Sequence, residues 1–364
     1  MSAPLECRLM FSSSSFMLEQ VIAGFAMLGR DGRLRLSAAR APNYVAGVLA
    51  PPKLEARLNG RLALVYDVRD DAGYFEEALA GCDFYFKRSY DPGAAAAHPH
   101  GHKLAPLGLF YGVYSEGDFW RRRALWSLLT CRPGDARWVA AQIVRSSALL
   151  SRLFAANNGR YACALANFEG TPKADPVSGV LLLTQTWDPA EVHDNPAKAE
   201  QREAINEMRA GCIRKLRQEH GPHFLGGFSP SAYARRYFPD CVVADPRQTR
   251  KLAFIRAIRQ ASICVTTMGL HRANGARLGE YVAGARAIVT ERLNFAVPGH
   301  FEAGANYLDF TTPDECVAAT VALRDDPARR QAMMARNQEY YRAYLRPDVL
   351  IWNTLQAALA GAAN

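Results

Sequence analysis

The absences in this 364-residue sequence narrow the field first. No apolar run reaches the roughly eighteen residues a helix needs to cross a bilayer, so no transmembrane helix is expected. There is no Cys-x-x-Cys pair. The eight cysteines (7, 82, 131, 163, 212, 241, 264 and 316) are scattered, which argues against a zinc site or a disulfide framework. The first residues, Met-Ser-Ala-Pro-Leu-Glu-Cys-Arg, lack the charged-then-apolar pattern of a signal peptide, and the expected compartment is the cytoplasm. No internal repeat, helix-turn-helix signature or zinc-finger spacing is present. Acidic residues are outnumbered, 35 Asp and Glu against 44 Lys and Arg, for a formal net charge of +9. That balance favours an anionic partner: nucleic acid, an anionic membrane surface or a phosphorylated small molecule.

At 49% hydrophobic, the chain is long enough for two ordinary domains with sizeable cores. Its organising stretch runs from 263 to 291. Residues 263–267 form a β-branched apolar run of the kind a buried parallel strand uses. Gly269 to Gly275 reads as a loop, with Asn274-Gly275 as its turn signal. A two-turn helix follows over 276–283, closed by Gly284, and a second strand over 286–290. Ligands of open α/β sheets sit outside the carboxyl ends of the strands. A loop feeding a helix N-terminus there presents free N–H groups and a positive dipole end to phosphate. Glu280 lies one turn into that helix, placed for ribose hydroxyls; on spacing alone, an ordinary βαβ unit with a solvated Glu is the alternative.

The segment Gly279-Glu280-Tyr281-Val282-Ala283-Gly284-Ala285-Arg286-Ala287-Ile288-Val289 resembles the donor-site segment of GT-B glycosyltransferases, roughly Glu-Ala-x-Ala-x-Gly-x-Pro-Val. The likeness extends through 306–310, Thr312-Pro313-Asp314-Glu315 and an arginine-rich helix over 326–336, about half the chain from Val180 onward. It implies an α/β fold of two Rossmann-like, doubly wound domains facing across a cleft, with a C-terminal helix crossing back. The expected division is 1–170 (acceptor side), 171–345 (nucleotide-sugar side) and 346–364 (the returning helix), with the last helix breaking at Arg346-Pro347. The resemblance also implies that Glu280 holds the donor ribose. Arg272 stands where retaining members carry a second Glu, and Ala285-Arg286 where a small residue and proline are usual.

Ahead of that half, a strand at 7–11 leads through Ser12–Ser15 to a helix over 16–28, and 33–39 alternates like a strand. A buried strand at 62–66 ends in Asp67-Val68-Arg69-Asp70-Asp71. A short helix at 74–79 and a strand at 84–86, ending in Lys87-Arg88, follow. Residues 94–97 with His98, His100 and His102 read as a low-complexity loop. Trp and Arg interleave over 119–129, as on a helix that meets a membrane interface or as a core helix with a solvated basic face. Helical spacing resumes from 136 to 154, and the turn formers of 157–177 mark the junction. Later elements are a strand at 180–184, a long helix at 199–220, strands at 224–228 and 241–243, and a helix at 250–260.

Glycosyl transfer requires a stabilised diphosphate leaving group, an activated acceptor and alignment of the two. Fixed cations and helix N-termini supply the first without a metal. Lys87, Arg88, Arg272 and Arg277 are the candidate cations, with the backbone of Gly269, Asn274 and Gly275 beside them. Gln185 and Trp187, after the first strand of the second half, are placed to flank the nucleotide. For general base, Asp67, Asp70 and His271 are the candidates; helix capping and a structural histidine are the alternatives. The expected protein is therefore a metal-independent glycosyltransferase with no cofactor. It takes a sugar from a nucleotide-sugar donor to a polysaccharide, glycan or lipid-linked acceptor, with peripheral contact at the inner face of the plasma membrane and no nucleic acid partner. An epimerase-like or other phospho-ligand enzyme with twin Rossmann-like domains, or a non-catalytic binder of that architecture, is the alternative.

Overall fold

A computed structural model describes residues 4–13, 15–45, 52–115, 120–130, 136–173 and 179–362. Ser14, Phe119, Cys131 and residues 174–178, named above, lie outside the described residues. The chain divides into two compact units. One is Met1–Asn167 with Phe295–Gly299 and Arg342–Asn364, and the other is Phe168–Asn294 with His300–Tyr341.

The first unit runs β1 (Leu5–Ser13), α1 (Glu19–Arg30), β2 (Leu34–Val45), β3 (Lys53–Leu58), β4 (Leu62–Asp67), α2 (Glu76–Gly81), β5 (Phe84–Lys87), α3 (Pro92–Ala97), β6 (Leu104–Pro106), α4 (Trp120–Thr130), α5 (Ala136–Ser146), α6 (Ala148–Leu153) and α7 (Leu165–Phe168). Its six-stranded sheet has the order β2-β1-β3-β4-β5-β6. Side chains alternate across the pleat. Val65 and Tyr85 face α2 and α3, while Tyr66 stacks on Phe86 and meets Phe25 of α1 edge-on. Helices therefore cover both faces.

Three expectations change here. β3 was missed. It runs antiparallel to both β1 and β4, inside an otherwise parallel sheet. Asn59-Gly60 makes this possible: both residues have positive φ, 50° and 69°, the geometry a tight hairpin requires. Residues 94–97, expected as loop, are helical because Asp91 caps the backbone N–H of Gly93 and Ala94 and Pro92 pre-sets the first turn. The single helix expected over 136–154 is broken at Ser147, whose hydroxyl caps α6. The serine loop does cap: Ser15 accepts from the Met17 N–H at the start of a 3-10 turn that leads into α1.

The second unit contains β7 (Val180–Thr184), α8 (Pro196–His220), β8 (Phe224–Phe228), α9 (Ala232–Tyr237), α10 (Lys251–Gln260), β9 (Ile263–Thr266), α11 (Ala276–Ala283), β10 (Ala287–Glu291), β11 (Leu308–Phe310), α12 (Pro313–Asp325) and α13 (Pro327–Tyr340). All its strands are parallel, in the order β11-β10-β9-β7-β8. The first two strands of the unit are thus out of sequence, the doubly wound arrangement, and the order reverses between β7 and β9. α8 starts on Asn195 and Pro196, and α12 on Thr312, whose hydroxyl accepts from the Glu315 N–H at 3.2 Å. The strand expected at 241–243 is only a single bridge from Val242 to Phe228, because Pro239 opens a 3-10 turn there.

After α13 the chain takes a π-helical turn over Tyr341–Leu345, breaks at Arg346-Pro347, and enters α14 (Pro347–Gly361), which belongs to the first unit. α14 lies against α1, with Tyr66 and Thr354 hydroxyls 2.9 Å apart beneath it. Gly24 sets the separation: a Cβ there would stand 2.2 Å from the Pro347 carbonyl oxygen. We expect Gly24→Ala to lower stability by about 1–3 kcal/mol, the cost of overpacking a tight contact. An unchanged denaturation midpoint in urea would show that α14 does not seat there.

Candidate active site

The switch point of the second sheet is where its loops diverge. Both strands end in polar residues there, Thr184 and Gln185 after β7, Thr266 and Thr267 after β9. One side chain ties the two ends together. Arg209 of α8 is buried, 5% exposed. It donates to the Thr267 hydroxyl (2.8 Å), the Gln185 carbonyl (2.7 Å) and the Met268 carbonyl (2.9 Å). Burial lowers its pKa to about 10, partly opposed by Glu291. Glu291, at the end of β10, accepts the Met268 N–H at 3.0 Å; burial raises its pKa, and Arg209 and Arg272 work against that.

From Met268 the loop passes Gly269 and makes a 3-10 turn, Leu270–Arg272, in which His271 and Arg272 both have φ of 59°. Two successive non-glycine residues in the left-handed region carry backbone strain, and such strain collects at ligand clamps. Both side chains are exposed. Arg272 reaches Asn294 Oδ1 at 2.6 Å, Asn294 returns a bond to the Arg272 carbonyl, and the His271 N–H is taken by Gln201. Next come Asn274 and Gly275. Gly275 occupies the N-cap of α11 and offers no side chain to its N–H groups. A Cβ on Gly275 would lie 3.5 Å from the Thr267 carbonyl oxygen, so α11 begins beside the end of β9.

The first turn of α11 carries Arg277, stacked 3.7 Å over Phe254 and bonded to Glu280 at 3.2 Å. Glu280 is 2% exposed. Its other oxygen is held by Lys251 of α10. Burial alone would raise the Glu280 pKa, but the Lys251 and Arg277 cations outweigh it and hold the carboxyl below its ordinary value. As found, Glu280 is an anchor for two cations and not an open acceptor. Four cations (Lys251, Arg209, Arg272 and Arg277) thus stand with two carboxylates around an uncapped helix N-terminus, a combination suited to a polyanion.

Gln185 is exposed, and its carbonyl serves Arg209. Trp187 is half-buried and gripped through its backbone by Asn206, at 2.9 and 2.7 Å. Its indole N–H is buried with no hydrogen-bond partner among the described residues. The structure therefore gathers Gly269, His271, Arg272, Asn274, Gly275, Arg277 and Glu280 on one loop and helix, with Gln185 on the neighbouring strand end. Arg209, Lys251 and Glu291 were missed. The first two had a signal: Asn206, Arg209, Ala210 and Ile213 share the buried stripe of α8, and Lys251, Phe254, Ile255 and Ile258 that of α10. A charged residue on an apolar stripe must have a buried partner.

The first-unit candidates form a separate group. Asp67 is wholly buried and accepts from Tyr85 (2.6 Å) and Arg69 (3.0 Å), with Lys87 at 3.4 Å. The expectation that Asp67 is a general base is corrected: its oxygens are occupied and no acceptor hydroxyl can reach them. Lys87 is corrected likewise. It is fully buried against Asp67, and burial lowers its pKa, so it is not a free phosphate-binding cation. Arg88 is buried over Phe110 and paired with Asp70 at 2.7 Å, which leaves Asp70 the more exposed carboxylate. His98 bonds to Glu76 and packs on Tyr74. Among the described residues, no group of three or more His, Cys, Asp or Glu is placed to hold a metal ion.

No protein-family model matches the chain, and no curated protein matches it significantly. Solved structures do. The C-terminal domain of a glycosyl transferase group 1 family protein (LpcC) from Francisella tularensis is similar over 49% of this chain and 96% of its own, at 11% identity and a TM-score of 0.32. A putative UDP-N-acetylglucosamine 2-epimerase from Listeria monocytogenes covers 97% of this chain and 95% of its own, at 10% identity and a TM-score of 0.38. Anabaena Alr3699/HepE, solved in complex with UDP, covers 96% and 99%, at 11% identity and a TM-score of 0.37. Similarities at this level give no residue-by-residue correspondence.

The Lys251–Glu280 pair makes a direct test. Glu280→Leu alone should cost about 3–5 kcal/mol, because it strands the buried Lys251, whereas Lys251→Met leaves Glu280 its Arg277 partner and should cost less, and the double variant should recover most of the Glu280→Leu loss. Since the folded-state pKa of Glu280 is lowered, its contribution is complete above the unfolded value of 4.5 and disappears as pH falls through the folded one. The stability gap between wild type and the double variant should therefore be flat at neutral pH and change only in acid. Urea denaturation across pH checks this, and additive single-variant losses would contradict it.

Proposed function

We propose that the protein is a metal-independent glycosyltransferase, moving a hexosyl or pentosyl group from a nucleotide-sugar donor to a polysaccharide, glycan or lipid-linked acceptor. One observation carries the reading. At the switch point of an all-parallel sheet, the uncapped start of α11 stands beside Lys251 and Arg277, both paired with the buried carboxylate of Glu280. A departing nucleoside diphosphate needs this: N–H groups and fixed positive charge where negative charge develops, arranged before the reaction so that nothing reorganises during it.

In this reading the diphosphate lies against residues 274–277, with Arg277 and Arg272 as its cations. Arg277 is the more exposed of the two cations on Glu280, its side chain 35% accessible against 9% for Lys251. When Arg277 turns to the diphosphate, one Glu280 oxygen is freed for a ribose hydroxyl, while Lys251 keeps the carboxylate charged. Glu280 then serves ribose only once the donor has drawn Arg277 away. Arg209 positions the loop through Thr267 and Met268 without touching the ligand. Gln185 and Trp187 flank the nucleoside, and the exposed His271 is the base on the loop itself.

Arg277→Ala should weaken nucleoside-diphosphate binding by about 1.5–3 kcal/mol, the value of hydrogen bonds to a charged group, with little loss of stability. Calorimetry with UDP, GDP, dTDP, ADP and CDP checks this; equal affinity in wild type and variant would sink the phosphate assignment. Slow release of nucleoside diphosphate from a nucleotide sugar, undiminished by a chelator, marks the transferase, whereas a stereoisomeric sugar product would point to an epimerase.

A further inference from the structure

The segment 120–154 of the first unit is built inside out. In α4, Arg123 is buried against Glu19, and Trp126 packs on the rings of Phe11 (5.6 Å) and Tyr44 (6.2 Å), with Ser127 bonded to the Tyr44 hydroxyl. The residue types that suggested an interfacial helix, Trp126 and Arg123, thus point inward. What points outward is leucine. Leu125, Leu128 and Leu129 are 54%, 55% and 71% exposed and lie at i, i+3 and i+4, on one face. α5 packs on both α4 and α6, and α6 with its C-cap carries Leu149, Leu153 and Phe154, 66%, 68% and 69% exposed. These are six of the nine large exposed hydrophobic side chains among the described residues, collected on two helices bridged by a third.

Scattered exposed leucines need no explanation, but a concentration such as this does. Its surroundings specify the occupant. Between residues 119 and 168 the sequence holds eight arginines and a single acidic residue, Asp135. Arg123 and Arg160 are buried, while Arg122, Arg137 and Arg152 are exposed. Apolar side chains on helices that also carry exposed arginines, in a segment with a single acidic residue, complement a surface that is anionic outside and hydrocarbon beneath. No helix among the described residues is long and apolar enough to cross a membrane, so such contact would be made in the plane of the bilayer.

We propose that α4 and α6 dock the protein on an anionic lipid bilayer, with Leu125, Leu128, Leu129, Leu149, Leu153 and Phe154 entering the headgroup region and the arginines meeting lipid phosphate. The inference concerns the first unit alone and stands whatever donor the second unit takes. It is tested by co-sedimentation of the full chain with vesicles of phosphatidylcholine, and of phosphatidylcholine mixed with phosphatidylglycerol. Wild type should sediment with the anionic vesicles, lose binding as salt is raised, and leave the neutral vesicles largely free. Leu129→Glu/Leu153→Glu/Phe154→Glu should reduce anionic-vesicle binding by at least roughly tenfold, with an unchanged melting curve because all three side chains are exposed. Arg137→Ser/Arg152→Ser should weaken it without removing the apolar contact, so a second variant tests the charge independently. Failure of wild type to bind anionic vesicles, equal binding by the triple variant, or a wild-type dimer that the triple variant splits without any vesicle binding would each overturn the proposal.

Discussion

A charge taken out of water must find its opposite, and that requirement shapes the second unit more than any other. At the carboxyl end of the sheet Glu280 is buried and Glu291 partly buried, and each has cations nearby. Glu280 grips Lys251 and Arg277, and Glu291 lies in the field of Arg209 and Arg272 while it secures the Met268 N–H. Arg209 is fixed by the Thr267 hydroxyl and the Gln185 and Met268 carbonyls, and Arg272 by Asn294. Removing Glu280 leaves the buried Lys251 without its carboxylate, which costs far more than the pair contributes. The cations are thus held near the start of α11 before any ligand arrives, the preorganisation that electrostatic stabilisation of a leaving group depends on.

The first unit applies the same rule to a different end. Asp67 draws in Arg69, Lys87 and Tyr85, and Asp70 pairs with Arg88, so that the ends of β4 and β5 are locked. These residues look catalytic as a string of charges after two apolar strands, yet the pairing of β4 with β5 sets Asp67 opposite Lys87 in register and closes the ions on each other. A sequence displays the charges but not their mutual satisfaction.

Much of the fold was legible wherever local rules act alone. The apolar run of β7, the helix 276–283 ended by Gly284, the break at Arg346-Pro347 and the return of the last helix to the first unit all follow from patterns within a few residues or from the family resemblance. β3 was missed although Asn59-Gly60 announces its hairpin, because its alternation of Lys53, Glu55 and Arg57 with Leu54, Ala56 and Leu58 is diluted by charge. At the site, the loop and Arg277 were legible, and Arg209 and Lys251 were not. Their importance lies in partners dozens of residues away, at Thr267, Gln185 and Glu280. Likewise, the Trp/Arg pattern of α4 does not reveal which side chains face inward, since only tertiary packing decides that Arg123 turns to Glu19.

The diphosphate site proposed at the N-terminus of α11 and its neighbouring cations is open to one decisive measurement. Hydrogen exchange of the full chain with and without saturating nucleoside diphosphate tests it most directly. Slowed exchange is expected, confined to the amides of residues 267–269 and 274–278, with the core strands unchanged. Protection elsewhere in the chain with none in those two segments would contradict it.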